Sequence, residues 1–333
     1  MMNKRLKQGT TFLLALALAF PLLTLPGARA ANAIETDRKC SVAFSVSGEG
    51  NELTDTGTDI TVNLYKVADV DVSGNYTATG AFTGLDVSSV RADNNDAAAS
   101  EWADRAKEAQ KMLKESVEPT ATVTLAKGIG SKDGLATGLY LVDTPEVVTT
   151  NYTYTFTPYL VSLPTNNYYS NGNDTWIYDL TDTNAIGLKP EEHARYGDLK
   201  INKTLANHNA TTGKKATFVF KIEITSLKGK TETRIESLDF EAAGDSSVTI
   251  TKIPAGAKVK VTEVYSGASY KLTSVNDQTA TIVATDRGST NTPASVSFTN
   301  DIDDNMNGGY GVKNNFKLDE NDQYQYTKPA AKN

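Results

Sequence analysis

Three polar residues of this chain fall on strand faces that are otherwise apolar. In Leu199-Lys200-Ile201-Asn202-Lys203-Thr204-Leu205 the apolar face holds Leu199, Ile201 and Leu205, and Lys203 lies among them. In Val259-Lys260-Val261-Thr262-Glu263 the face of Val259 and Val261 runs on to Glu263. In Val296-Ser297-Phe298-Thr299-Asn300-Asp301-Ile302 the face of Val296, Phe298 and Ile302 includes Asn300. Strand side chains alternate between two faces, so a Lys, a Glu and an Asn each point toward the core of the second half. Leaving such groups buried and unsatisfied is costly, which admits two explanations. Each residue could stand at a strand end and reach water along its stem. Alternatively, the three meet and react. Burial lowers a lysine pKa, leaving a neutral, nucleophilic amine, and raises that of a carboxyl, which then stays protonated and can donate to the Asn carbonyl. Attack on that amide would expel ammonia and leave an isopeptide bond between an early and a late strand, with no metal or cofactor. Periodicity alone leaves both explanations open.

The elements that would position these residues are strands. From residue 40 the chain runs in short alternating segments broken by Gly, Asn, Asp and Pro, such as Ile60, Val62 and Leu64 against Thr61, Asn63 and Tyr65. It holds 43 Thr and 15 Tyr, residue types that suit pleated, half-buried surface. Many short strands with turns between them predict an all-β chain of two Ig-like β-sandwich domains. One helix is inserted in the first, over about 96–117, because Trp102, Ala106, Ala109, Leu113 and Val117 recur at helical spacing. Asn94 or Asn95 is placed to cap it, and Pro119 lies just past its end. Residues 182–197 are polar and read as a linker, giving a first domain over 31–190 and a second over 198–333 that ends in a hairpin.

Residues 1–30 read as a secretory signal. Lys4, Arg5 and Lys7 precede an apolar run from Phe12 to Leu25, and Ala28-Arg29-Ala30 supplies small residues for cleavage. The run is shorter than the roughly 20 residues a spanning helix needs, so no membrane span is expected once the signal is cleaved. The full chain carries a net charge of −7; removing Lys4, Arg5, Lys7 and Arg29 with the signal takes it to −11. An acidic chain is poorly suited to nucleic acid, whose phosphates need a basic surface. One Cys excludes an internal disulfide, and with two His there are too few ligands for a Cys/His zinc site. Cys40 reads as a half-buried thiol of a first strand, His193 as a solvated linker residue and His208 as a solvated loop residue. Asp303, Asn305, Asn307 and Gly308 match the start of a calcium loop, but Asn314 stands where its bidentate Glu belongs, so no metal is expected.

Several segments carry a family resemblance. Tyr-Lys-Val-Ala at 65–68, Gly-Leu-Tyr-Leu-Val at 138–142, Pro-Tyr-Leu-Val-Ser-Leu-Pro at 158–164 and Trp-Ile-Tyr-Asp-Leu-Thr at 176–181 resemble the N-terminal domain of Gram-positive pilin subunits. Leu-Lys-Ile-Asn-Lys-Thr at 199–204, Ile-Pro-Ala-Gly-Ala-Lys-Val-Lys-Val-Thr-Glu at 253–263 and Val-Ser-Phe-Thr-Asn at 296–300 resemble isopeptide-forming pilin domains related to collagen-adhesin B-type repeats. The resemblance implies Lys203 as nucleophile, Asn300 as acceptor and Glu263 as catalytic acid, the residues that strand register had picked out. It implies a fimbrial subunit, secreted and held at the cell surface, with other pilin subunits or a host surface ligand as partners.

The chain also departs from the pattern. It ends in Lys328-Pro-Ala-Ala-Lys-Asn333, where wall-anchored pilins carry a Leu-Pro-x-Thr-Gly signal, an apolar helix and a basic tail. Lys189, in Leu188-Lys189-Pro190, is the nearest match to the pilin inter-subunit linkage lysine, displaced by extra residues. In the first domain Lys66 continues an apolar face, but Asp143 or Thr144 occupies the Glu position, so no second cross-link is expected. The expectation is a structural fimbrial or adhesion subunit, without enzymatic turnover, stabilised by a Lys203–Asn300 isopeptide bond. Its rivals are an adhesin module that binds host glycan or matrix protein without polymerising, marked by Tyr168, Tyr169 and Trp176 exposed together, and a hydrolase with an unrecognised carboxylate pair.

Overall fold

The chain is described in a computed structural model over residues 33–46, 52–55, 57–87, 96–166, 175–181, 185–210, 215–267, 269–303, 315–318 and 324–327, which fold mostly as β-strands. The signal segment, the Asn94/Asn95 cap, Tyr168, Tyr169 and all of the calcium-like loop after Asp303 lie outside these residues. Two compact units emerge: Met1–Val147 with Tyr154–Glu191, and Val148–Thr153 with Glu192–Asn333. No helix among the described residues is long and apolar enough to cross a membrane.

In the first unit, the long strand Ile60–Val70 anchors a sheet with Tyr76–Ala78, Ala121–Leu125, Gly138–Asp143 and Tyr159–Leu163. Ile60, Val62 and Leu64 are buried on one face. The register shifts between Lys66 and Ala68, and Tyr65, Val67 and Ala68 are buried with a different set of neighbours. Those neighbours include the helix Asp96–Met112, which packs Trp102, Ala106 and Ala109 on Leu139, Leu141 and Leu160. The helix stops five residues before the expected Val117. Leu113 and Val117 still pack on the cluster, but their amides turn to Gln110 and Lys114, three residues back. Lys114, Glu115 and Ser116 are exposed, and Pro119 cannot continue a helix. A second sheet is built on Cys40–Val46, which pairs in parallel with Asp179–Leu180 and Ile186–Leu188 and antiparallel with Ile129–Leu135.

The stretch read as a linker holds structure. Ile186–Leu188 and Pro190–Ala194 are strands, and Tyr196 opens the next one. Its polarity reflects outward side chains: Glu191, His193 and Ala194 are exposed while Leu188 is buried.

The second unit is a sandwich of two four-stranded sheets. One runs Gly244–Pro254, Tyr196–Leu205, Ala294–Ile302, Tyr270–Leu272; the other runs Thr231–Phe240, Ala216–Thr225, Lys258–Tyr265, Gln278–Thr281. Ala216–Thr225 alternates buried and half-buried residues through its first nine positions, and its inward Phe218, Phe220, Ile222 and Ile224 meet Leu199, Ile201, Val296 and Phe298 of the other sheet. Phe220 and Phe298 pack across the two layers with ring centres 5.2 Å apart. Gly197 permits a close approach, since a Cβ there would lie 1.8 Å from the Val283 carbonyl oxygen. Asn315–Leu318 and Tyr324–Thr327 pair as the expected late hairpin.

Candidate functional site

Lys203 and Asn300 lie on neighbouring strands of one sheet. Tyr196–Leu205 and Ala294–Ile302 run parallel, with Lys203 opposite Phe298 and Leu205 opposite Asn300. Parallel pairing at this register brings Lys203 and Asn300, two positions apart along the ladder, to the same inward face. Glu263 comes from the facing sheet, on Lys258–Tyr265, where it stands opposite Phe220. The triad is therefore assembled across the interior of the sandwich, from strands far apart in sequence.

The three side chains meet in a closed triangle. Lys203 Nζ donates to Glu263 Oε2 at 2.9 Å and to Asn300 Oδ1, and Asn300 Nδ2 donates to Glu263 Oε1 at 2.6 Å. The Lys203 and Glu263 side chains are 0% exposed, and so is Asn300. The apolar wall includes Phe218, with Nζ 4.4 Å from its ring centre. Burial pushes the Lys203 amine below the ordinary lysine range, and its hydrogen bond to Glu263 opposes that shift. None of the three snorkels to water at a strand end, so that explanation of their register does not hold.

Glu263 faces the Asn300 amide nitrogen and not, as expected, its carbonyl, because that carbonyl accepts from Lys203; the triangle still has the connectivity that amide exchange needs. Lys203 Nζ touches the carboxamide whose carbon it would attack. The two Glu263 oxygens contact different nitrogens: Oε2 can take a proton from Nζ, and Oε1 can return one to Nδ2 as it leaves as ammonia. One carboxyl thus serves both proton transfers without moving. The exclusion of water strengthens each electrostatic contact.

The other sequence candidates do not join this cluster. Lys189 is exposed between the strands Ile186–Leu188 and Pro190–Ala194. Lys66 forms an ion pair with Asp69 at 2.5 Å, while Asp143 accepts from Gln110 at 2.6 Å. Cys40 is fully buried where a half-buried thiol was expected, because its strand is paired on both sides; burial pushes its pKa up to about 11. His193 is exposed, but on a strand, and His208 is half-buried beside Tyr270, with ring centres 6.5 Å apart. Sequence reasoning missed Asn276, whose side chain pairs with both backbone groups of Glu263. It also missed Arg195, which binds Asp286 through two nitrogens at 3.0 Å each.

A family model described as a domain of unknown function (DUF5979) matches residues 199–303, a span that contains all three triad residues. No curated protein matches the chain. Among solved structures, the major pilin T-13 of Streptococcus pyogenes is 14% identical, covers 82% of this chain and 100% of its own, and has a TM-score of 0.27. The full-length major pilin SpaD of Corynebacterium diphtheriae is 11% identical over 83% and 100% of the two chains, at a TM-score of 0.26. The Bacillus anthracis TIE protein is 13% identical over 79% of this chain and 34% of its own, at a TM-score of 0.30. With TM-scores this low, the functional reading rests on the triad's own geometry. By these comparisons the chain is similar over residues 199–303 to a domain of unknown function, and its structure neighbours include Gram-positive pilins.

Proposed function

We propose that the chain is a structural subunit of a secreted, surface-attached fibre, and that its second unit is locked by an isopeptide bond between Lys203 and Asn300. The observation that carries this reading is the buried triangle: an amine, a carboxamide and a carboxyl, sealed from water and in mutual contact. Such a group has no evident use in turnover, because no substrate can reach it. Its one accessible reaction is with itself. Lys203 Nζ bonds to Asn300 Cγ, the Cγ–Nδ2 bond breaks, ammonia leaves, and Glu263 ends with the proton count it began with. The motif resemblance to pilin subunits in both halves supports the fibre role.

Wild-type protein should weigh about 17 Da less than its sequence mass, the loss of one ammonia by nucleophilic displacement. Glu263→Ala should restore the full sequence mass of that variant. An unshifted wild-type mass, measured on the intact chain, contradicts the bond.

Assembly is a separate matter. Lys189 presents an exposed amine, and we assign it the link to a neighbouring subunit. Surface extracts should then show ladders of polymer that survive SDS and collapse to monomer in Lys189→Ala. A ladder unchanged by that substitution would move the linkage to another residue.

A further inference from the structure

The Glu263 strand loses one of its two backbone partners just where the triad begins. Lys258–Tyr265 pairs antiparallel with Gln278–Thr281, from Lys258 opposite Thr281 to Val261 opposite Gln278. Extending that register by two residues places Asn276 opposite Glu263. At that point the backbone ladder has ended, and the Asn276 side chain replaces it. Glu263 N–H donates to Asn276 Oδ1 at 2.9 Å, and Asn276 Nδ2 donates to the Glu263 carbonyl at 3.2 Å. A carboxamide carries one acceptor and one donor group side by side, so it mimics the edge of a strand.

The same device recurs two residues later on the opposite sheet. Ser297 N–H donates to Gln278 Oε1 at 3.0 Å, and Gln278 Nε2 donates to the Ser297 carbonyl. Thr299 is held by the same segment: its N–H donates to Ser274 Oγ at 3.1 Å, and its carbonyl accepts from the Thr273 amide at 2.8 Å. Ser297 and Thr299 are on the strand that carries Asn300. Residues 273–278 therefore cross from one sheet to the other, turning at Asp277 with φ 55°, and grip the Glu263 strand on one side and the Asn300 strand on the other. Aspartate tolerates this left-handed conformation better than most residues.

We propose that residues 273–278 form a clamp that sets the Glu263 carboxyl against the Asn300 amide, with Asn276 and Gln278 as its positioning residues. The proposal rests on the Lys203–Asn300 reading. Neither residue touches the reacting atoms. Each fixes the backbone from which a reacting side chain, or its neighbour, projects. Displacing a group that transfers protons is felt steeply in rate.

Full-length chain made by cell-free translation starts without the bond, and the fraction that has lost about 17 Da can be followed with time by intact mass. Asn276→Ala should form the bond about tenfold more slowly than wild type. Gln278→Ala should slow it in the same direction. Asn276→Asp supplies a readout that simple loosening of the fold would not move. Protonated, the Asp keeps a donor and an acceptor; ionised, it only accepts. Its rate relative to wild type should therefore rise toward one as pH falls through the ordinary Asp range, about 3.9. Thermal midpoints in a Glu263→Ala background, where no bond forms, separate stability from rate. If wild type loses mass and Asn276→Ala matches its rate, the clamp is overturned and the bond stands. A relative rate for Asn276→Asp that is the same at every pH also overturns the clamp. If wild type shows no mass loss, the bond reading falls, and the clamp with it.

Discussion

Lys203→Met should destabilise the second unit strongly, and by more than Asn300→Ala does. Two losses act together. The bond would close a loop between residues 97 apart in sequence, and a loop of that size restricts the unfolded chain enough to contribute about 4–5 kcal/mol. Removing the nitrogen also leaves Glu263 sealed in the sandwich without the N–H that Lys203 donates to it, and a buried acceptor left unsatisfied in this way costs about 1–3 kcal/mol. A domain of this size has a total stability of about 5–15 kcal/mol, so the sum is a large share of it. Asn300→Ala provides the comparison: it forbids the bond but keeps the Lys203–Glu263 pair, so its loss should fall clearly short of that of Lys203→Met. Thermal unfolding and resistance to trypsin, read on the second unit's fragments, check the ranking. If both variants melt with wild type, neither the bond nor the buried pair carries stability.

The second large effect is all-or-none. Ser226, Leu227, Lys228, Gly229 and Lys230 form a turn between the strands Ala216–Thr225 and Thr231–Phe240, with Leu227, Lys228, Gly229 and Lys230 exposed. A specific protease site inserted there lies inside the segment spanned by Lys203 and Asn300. After a single cut, the wild-type chain should still run as one species under denaturing conditions, because the side-chain bond bridges the nick. The same cut in Glu263→Ala should release two fragments. Two fragments from wild type would contradict the cross-link. The same logic explains the value of such a bond to a fibre: tension entering at the Tyr196–Leu205 strand leaves through Ala294–Ile302 without loading the residues between them.

The triad was legible in the sequence because strand side chains obey a rigid period of two. Lys203, Glu263 and Asn300 each continue an apolar face, and in the structure those faces meet. The same rule places Lys66 after Ile60, Val62 and Leu64, but there the lysine pairs with Asp69 and the register shift after it turns the following residues to the helix-covered face. Polarity misled at residues 182–197, since edge strands can present mostly solvated side chains and still pair. The helix end was missed because Leu113 and Val117 keep their place on the apolar face after the backbone has left the helix. Asn276 and Gln278 could not be found by periodicity. They act through side-chain bonds to the backbone of distant strands, and the conformation of one turn decides which groups those are.

The most direct test of the central claim is the tryptic peptide map of wild-type protein. Cleavage after Lys200, Lys214, Arg287 and Lys313 brackets the two linked residues in segments 201–214 and 288–313. The account predicts one branched peptide that joins these segments through Lys203 and Asn300, about 17 Da lighter than their sum, with no cut after Lys203. Recovery of Asn300 in a linear peptide, with cleavage after an unmodified Lys203, would contradict it.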